Sequence, residues 1–198
     1  MGSTRTFSYC TLALSLTIGT SIGQDTRKAK AKSSPGPRLT ITSPAFPDGS
    51  EIPVKYSDSE LMPISPKLEW SNVPMGTESF VLLFHDPDVA FNKSAESDVL
   101  HWLVWNIPGE SRGLPENIPP IAKLPDGTIQ GKNQGNVVGY RGPGANAAGP
   151  RHHYTFELYA LDTKLDLGSE ASRTDVIKAS NGHVLGKALY VGRFMRPN

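Results

Sequence analysis

The chain has 198 residues, enough for one domain with a substantial core, and carries 20 basic against 19 acidic residues. That balance provides no strongly basic face for nucleic acid. Its one cysteine, Cys10, excludes a disulfide scaffold or a cysteine-rich metal centre within the chain.

In chain order, residues 1–23 have the pattern of a signal peptide. Arg5 supplies a positive start, and Tyr9 to Ile22 is apolar or small without charge. Ser21-Ile22-Gly23 suits cleavage before Gln24. The apolar run is short of the roughly 20 residues that span a bilayer, and an uncleaved anchor is the alternative. Cys10 lies inside this leader, so the exported chain is expected to lack any thiol. Export without disulfides fits a periplasmic or secreted protein. Beyond residue 23, residues 24–38 hold Arg27, Lys28, Lys30, Lys32 and Arg38 against Asp25, among Ser33-Ser34-Pro35-Gly36-Pro37. This reads as a solvated basic linker, with contact to an anionic surface as the sharper alternative.

Residues 39–198 read as one domain of many short strands. Leu39 to Thr42 alternates, and so does Ile52 to Tyr56, where Pro53 suits a strand start or edge. Leu68-Glu69-Trp70 is a short strand. Phe80 to Phe84 has no polar break, as expected of a strand buried on both faces. Trp102 to Ile107 is similar. Pro125-Asp126-Gly127-Thr128 signals a tight turn. Tyr154 to Leu161 alternates again, and Lys187 to Phe194 forms a last strand. One helix is expected after Ser172, whose capping box with Asp175 opens Val176-Ile177-Lys178-Ala179, with a stop at Asn181-Gly182. Gly139 to Pro150 has Gly or Pro at six of its twelve positions and reads as an irregular loop.

Ionisable groups gather at the mouths of these apolar strands. Asp86 and Asp88 follow the buried strand, and Pro87 between them favours an extended backbone that points both carboxylates one way. A side-chain-bonded turn is the plainer reading of Asp-Pro-Asp. His101 opens the next apolar strand, either as a ligand contact or as a satisfied histidine. His152 and Tyr154 share one face of a strand just after the glycine-rich loop, while His153 takes the other and faces solvent. His85 reads as structural and His183 as a charge near a helix end.

Two separated stretches, Asp86-Pro87-Asp88 with His101-Trp102-Leu103-Val104-Trp105-Asn106-Ile107-Pro108, and Gly139-Tyr140-Arg141-Gly142-Pro143 with His152-His153-Tyr154-Thr155-Phe156, resemble the signature regions of the phosphatidylethanolamine-binding protein family. The bacterial Raf-kinase-inhibitor-like branch is the nearest likeness. Leu124-Pro125-Asp126-Gly127, Gln130-Gly131-Lys132-Asn133 and Gly182-His183-Val184-Leu185 support it. The resemblance implies a mainly β fold, an antiparallel β-sandwich with a few peripheral helices, around a small anion pocket. It carries over the ligand-binding residues Asp86, Asp88, His101, Gly142, Pro143, His152 and Tyr154. It implies a phosphate-bearing ligand or phospholipid head group, with no cofactor. Val89-Ala90, Gly144-Ala145-Asn146 and His153 depart from the usual pattern at the pocket rim.

Carboxylates in an anion site act indirectly, by accepting from His101 or His152 and so favouring the imidazolium. Imidazolium, the Tyr154 hydroxyl and amides of the Gly142-Pro143 loop then donate to the anion. Binding rather than catalysis is expected. A metal-dependent hydrolase built on the same His and Asp residues is the enzymatic rival, without any paired metal-ligand spacing to support it. Nucleophilic hydrolysis has neither a thiol nor a Gly-x-Ser-x-Gly elbow. A surface-mediated inhibitor of a protease or kinase is the third reading, and self-association into a homodimer stays open.

Overall fold

The computed structural model describes residues 1–2, 38–91 and 98–197. The expected leader and linker thus fall outside the described residues, apart from Met1, Gly2 and Arg38. Among these residues eight strands follow one another as β1 (Thr40–Thr42), β2 (Leu68–Ser71), β3 (Ser79–Asp86), β4 (Val99–Pro108), β5 (Gly113–Leu114), β6 (Ile129–Gln130), β7 (His152–Leu161) and β8 (Val184–Phe194). They form two antiparallel sheets, ordered β1-β2-β5 and β6-β4-β3-β7-β8. Among the described residues one α-helix, α1 (Arg173–Ser180), lies between β7 and β8 in the chain. No helix among the described residues is long and apolar enough to cross a membrane.

The unbroken apolar run of β3 is explained by its place at the centre of the larger sheet. All eight of its residues are buried. Phe80, Leu82 and Phe84 enter a core shared with Ile41, Leu68 and Trp70 of the smaller sheet. Val81 and Leu83 point the other way, into a second cluster with Leu103, Trp105, Leu165 and Val176 of α1. The period-2 geometry of a strand makes this division, and each large apolar side chain so buried contributes about 1.5–3 kcal/mol. The helix needs its caps because it offers one buried apolar side chain, Val176. The Ser172 hydroxyl accepts from the Asp175 amide, and the Asp175 carboxylate accepts from the Ser172 amide. Asn181 ends the helix and Gly182 takes φ 85°.

Two local expectations fail. Ile52 to Tyr56 is not a strand: Val54–Tyr56 turns as a 3-10 helix. Pro53 has no N–H for a ladder, and the Ser57 hydroxyl donates to the Val54 carbonyl at 2.8 Å, closing the turn instead. Alternation alone cannot reveal that competition. Pro87–Phe91 is also a 3-10 turn rather than extended chain. The short β5 and β6, two residues each, carry too little pattern to be read.

Candidate functional site

Strand pairing decides where the ionisable groups meet. β3 runs antiparallel to both β4 and β7, with Asp86 opposite Val99 and His85 opposite Thr155. The end of β3 therefore lies beside the beginnings of β4 and β7. Asp86, His101, His152 and Tyr154 come from three strands to one rim of the sheet. They line a cavity of about 230 Å³.

Phe84 forms the underside. Its ring stacks on Phe156 at 4.0 Å and on Tyr140 at 5.5 Å, and His101 meets the Tyr154 edge at 5.2 Å. These contacts fix the imidazole and phenol by packing before any ligand arrives.

Asp86 is 3 % exposed and fully engaged. One carboxylate oxygen faces His152 Nδ1 at 2.8 Å, and the other accepts the Asp88 amide at 3.0 Å. With His152 Nδ1–H given to Asp86, its second ring nitrogen becomes a donor only in the imidazolium. His101 is 4 % exposed, and its Nδ1 lies 3.2 Å from the Arg141 carbonyl. A carbonyl only accepts, so Nδ1 carries the proton and Nε2 is an acceptor in the neutral ring. Burial holds the His101 pKa below its ordinary value, against the Arg141 carbonyl and the Asp86 charge, which pull it up. Tyr154 is raised by burial and then by Asp86, so its hydroxyl stays protonated.

The glycine-rich loop is shaped by close approach. A side chain on Gly142 would collide with the backbone of Tyr56, Ser57 and Asp58. One on Gly144 would occupy the place of the Asp58 carboxylate. The Asp58 amide donates to the Pro143 carbonyl at 3.0 Å, locking the two segments together. Gly142 and Pro143 are buried in this scaffold and do not line the cavity. Next along the loop, the Gly144 and Ala145 amides donate to the Tyr154 hydroxyl oxygen at 3.1 and 2.9 Å. They hold the phenol rather than a ligand.

Asp88 corrects the expectation that both aspartates point into one pocket. The 3-10 turn rotates it away, and its carboxylate accepts from the His153 amide at 2.7 Å and faces His153 Nδ1 at 2.9 Å. Burial works to raise its pKa, but the two His153 contacts prevail and lower it. His153 is exposed, as expected from strand parity. His85 lies away from the cavity between Asp98 at 2.6 Å and Glu157 at 3.7 Å, and His183 pairs with Asp162 at 2.7 Å.

The cationic half of the cavity escaped the sequence reading. Arg141 and Arg196 both line it, together with Asp58 and Asn146. Arg196 grips Asp58 through Nη2 at 2.9 Å to each carboxylate oxygen and through Nε at 3.2 Å. Arg141 Nη2 stands 4.0 Å from the same carboxylate. Arg141 sat within the quoted Gly139–Pro143 stretch, whereas Asp58 and Arg196 lie in segments without any pattern. Only the tertiary fold brings positions 58, 141 and 196 together. Among the described residues, no group of three or more His, Cys, Asp or Glu side chains is arranged to hold a metal ion.

The profile of the family described as phosphatidylethanolamine-binding protein matches residues 42–195. A relative from Methanothermobacter thermautotrophicus, named UPF0098 protein, is 44 % identical over 160 residues, covering 80 % of this chain and 99 % of its own. Among solved structures, CT736 from Chlamydia trachomatis superposes with a TM-score of 0.69 at 31 % identity, covering 81 % of this chain and 99 % of its own. Escherichia coli YbcL, described as a member of the mammalian PEBP family, gives 0.70 at 29 % identity, covering 81 % and 100 %. The chain belongs to the phosphatidylethanolamine-binding protein family.

Proposed function

We propose that this family member is an exported binding protein whose cavity takes a small phosphate-type anion, free or as a lipid head group, without chemical conversion. The observation that carries the reading is the convergence of two guanidinium groups, two imidazoles and a protonated phenol on one cavity of about 230 Å³. Arg141 and Arg196 supply permanent charge, and a guanidinium fork matches two phosphoryl oxygens. Tyr154 stays protonated, its oxygen accepting two amides while its O–H is directed at the Asp86 carboxylate, beside which the anion would sit. Neutral His101 offers Nε2 as an acceptor, which suits the P–OH of a singly protonated phosphate.

The two carboxylates have positioning roles. Asp86 orients His152 through Nδ1, while Asp58 holds Arg196. Formal charge in the cavity is therefore close to balanced, with two guanidinium groups against two carboxylates, and acidification makes it more positive once His101 gains a proton. The leader-like residues 1–23 support export, which puts the protein in the periplasm or outside the cell.

Calorimetric titration with inorganic phosphate, phosphoethanolamine and sulfate tests the reading. Phosphate is expected to bind measurably, and phosphoethanolamine to bind at least as well if a lipid head group is the occupant. Sulfate remains a dianion between pH 5 and 8, so its pH dependence reports the protein alone. Its affinity is expected to rise as the pH falls. Affinity that rises with pH, or no binding of any of the three, refutes the proposal.

A further inference from the structure

Two carboxylates line the cavity, and they are held in different ways. Asp86 is anchored by the Asp88 amide and by His152 Nδ1, so its place does not depend on a guanidinium. Asp58 has no such anchor. Among the described residues, every hydrogen bond to its carboxylate comes from Arg196, and Arg141 Nη2 stands 4.0 Å away. Its partners are thus the same two cations that would hold an anionic ligand.

The Asp58 backbone is fixed, because its amide donates to the Pro143 carbonyl at 3.0 Å. The carboxylate beyond it is free to exchange partners. Gly144, which has no Cβ, leaves the space that it fills. Its side chain is 18 % exposed and that of Arg196 47 %, so the pair is screened by solvent. Nor does Arg196 need Asp58 to reach the cavity. Its amide donates to the Ala145 carbonyl at 3.0 Å, and Ala145 itself lines the cavity. A guanidinium fork pairs with two oxygens of one partner at a time. A carboxylate tethered beside that fork is present at a millimolar effective concentration, and a free anion has to compete with it.

We propose that Asp58 is a resident competitor: its carboxylate takes the Arg196 fork in the ligand's place, turns away when an anion binds, and so sets the affinity of the cavity. This rests on the anion reading of the cavity. Two effects act in the same direction. Apparent affinity is lowered by the fraction of molecules in which the fork is already engaged. The displaced carboxylate then remains beside the anion as a like charge. Asp58 therefore differs from Asp86 in the sign of its effect. Loss of Asp86 removes the group that orients His152, whereas loss of the Asp58 charge frees a cation whose backbone is already in place.

The test is calorimetric titration of the whole chain with inorganic phosphate and with sulfate. It compares the unaltered protein with Asp58→Asn, Asp58→Ala and Glu60→Gln. Both Asp58 variants are expected to bind each anion about three- to tenfold tighter. Asp58→Asn keeps the shape of the side chain, so it reports even where the alanine variant loses stability. Glu60 is exposed on the same loop and contributes nothing to the Arg196 fork. Glu60→Gln is expected to stay within about twofold of the unaltered protein. Weaker binding by Asp58→Asn overturns the proposal, because Asp58 then serves only to position Arg196. Unchanged binding overturns it as well. An equal gain in Glu60→Gln also overturns it, since general charge would then suffice. In each of these cases the unaltered protein still binds, and the cavity reading stands. Failure of the unaltered protein and of both Asp58 variants to bind either anion refutes the cavity reading and the competitor with it.

Discussion

Replacing Arg196 with alanine separates what this side chain does for the fold from what it does for the ligand. Its contact with Asp58 is two-pronged, but the Arg196 side chain is 47 % exposed. Solvent screening at that exposure limits the pair to about 0.2–1 kcal/mol of stability. The Arg196 amide still donates to the Ala145 carbonyl at 3.0 Å, since the substitution leaves the backbone intact. The melting temperature is therefore expected to fall by no more than about 4 °C for a domain of this size. Phosphate affinity is expected to fall much further. One charged hydrogen bond is worth about 1.5–3 kcal/mol, which is about 10- to 150-fold in dissociation constant. Calorimetry against inorganic phosphate and a thermal melt of the same preparation measure both quantities. A double-mutant cycle with Asp58→Ala should return a stability coupling below about 1 kcal/mol. If Arg196→Ala and Arg141→Ala each change phosphate affinity by less than about threefold, guanidinium recognition is wrong and the site works by another route.

Three further outcomes follow from the geometry. Burial depresses the His101 pKa below 6.5, so between pH 6.5 and the lower folded value the unfolded chain binds more protons. Stability is expected to be fully present above pH 6.5 and to decline as the pH falls through that window, in denaturant titrations. His101→Gln should remove this component of the decline. Gly142→Ala drives a methyl group into backbone and is expected to cost about 1–3 kcal/mol, whereas Gly144→Ala meets only the movable Asp58 carboxylate. Gly144→Ala should therefore weaken phosphate binding with little change in the melt; the reverse ordering would contradict the described loop. Phe84→Ala removes the ring beneath the cavity and is expected to destabilise by about 3–5 kcal/mol, read from the denaturant midpoint.

The amino-acid order alone determined the long strands and the family likeness, but not the 3-10 turn at Val54–Tyr56 or the two-residue strands β5 and β6. An apolar run as dense as Phe80–Phe84 has one comfortable place, the middle of a sheet covered on both faces, and β3 occupies it. Ser172 with Asp175 specified the start of α1 because capping is a local hydrogen-bond exchange across three residues. His152 and Tyr154 were recognisable as neighbours because strand parity is local too. The direction of Asp88 was not, since an extended backbone and a side-chain-bonded turn lie close in energy. Only the surroundings, here the His153 amide and ring, choose between them. The cationic half of the cavity belonged wholly to tertiary structure. Asp58, Arg141 and Arg196 are separated by 83 and 55 positions and share no periodicity. Antiparallel pairing of β3 with β4 and β7 and the close approach permitted by two glycines bring them together. Short-range chemistry could be read along the chain, whereas charge complementarity across the cavity arises from contacts that exist only once it has folded.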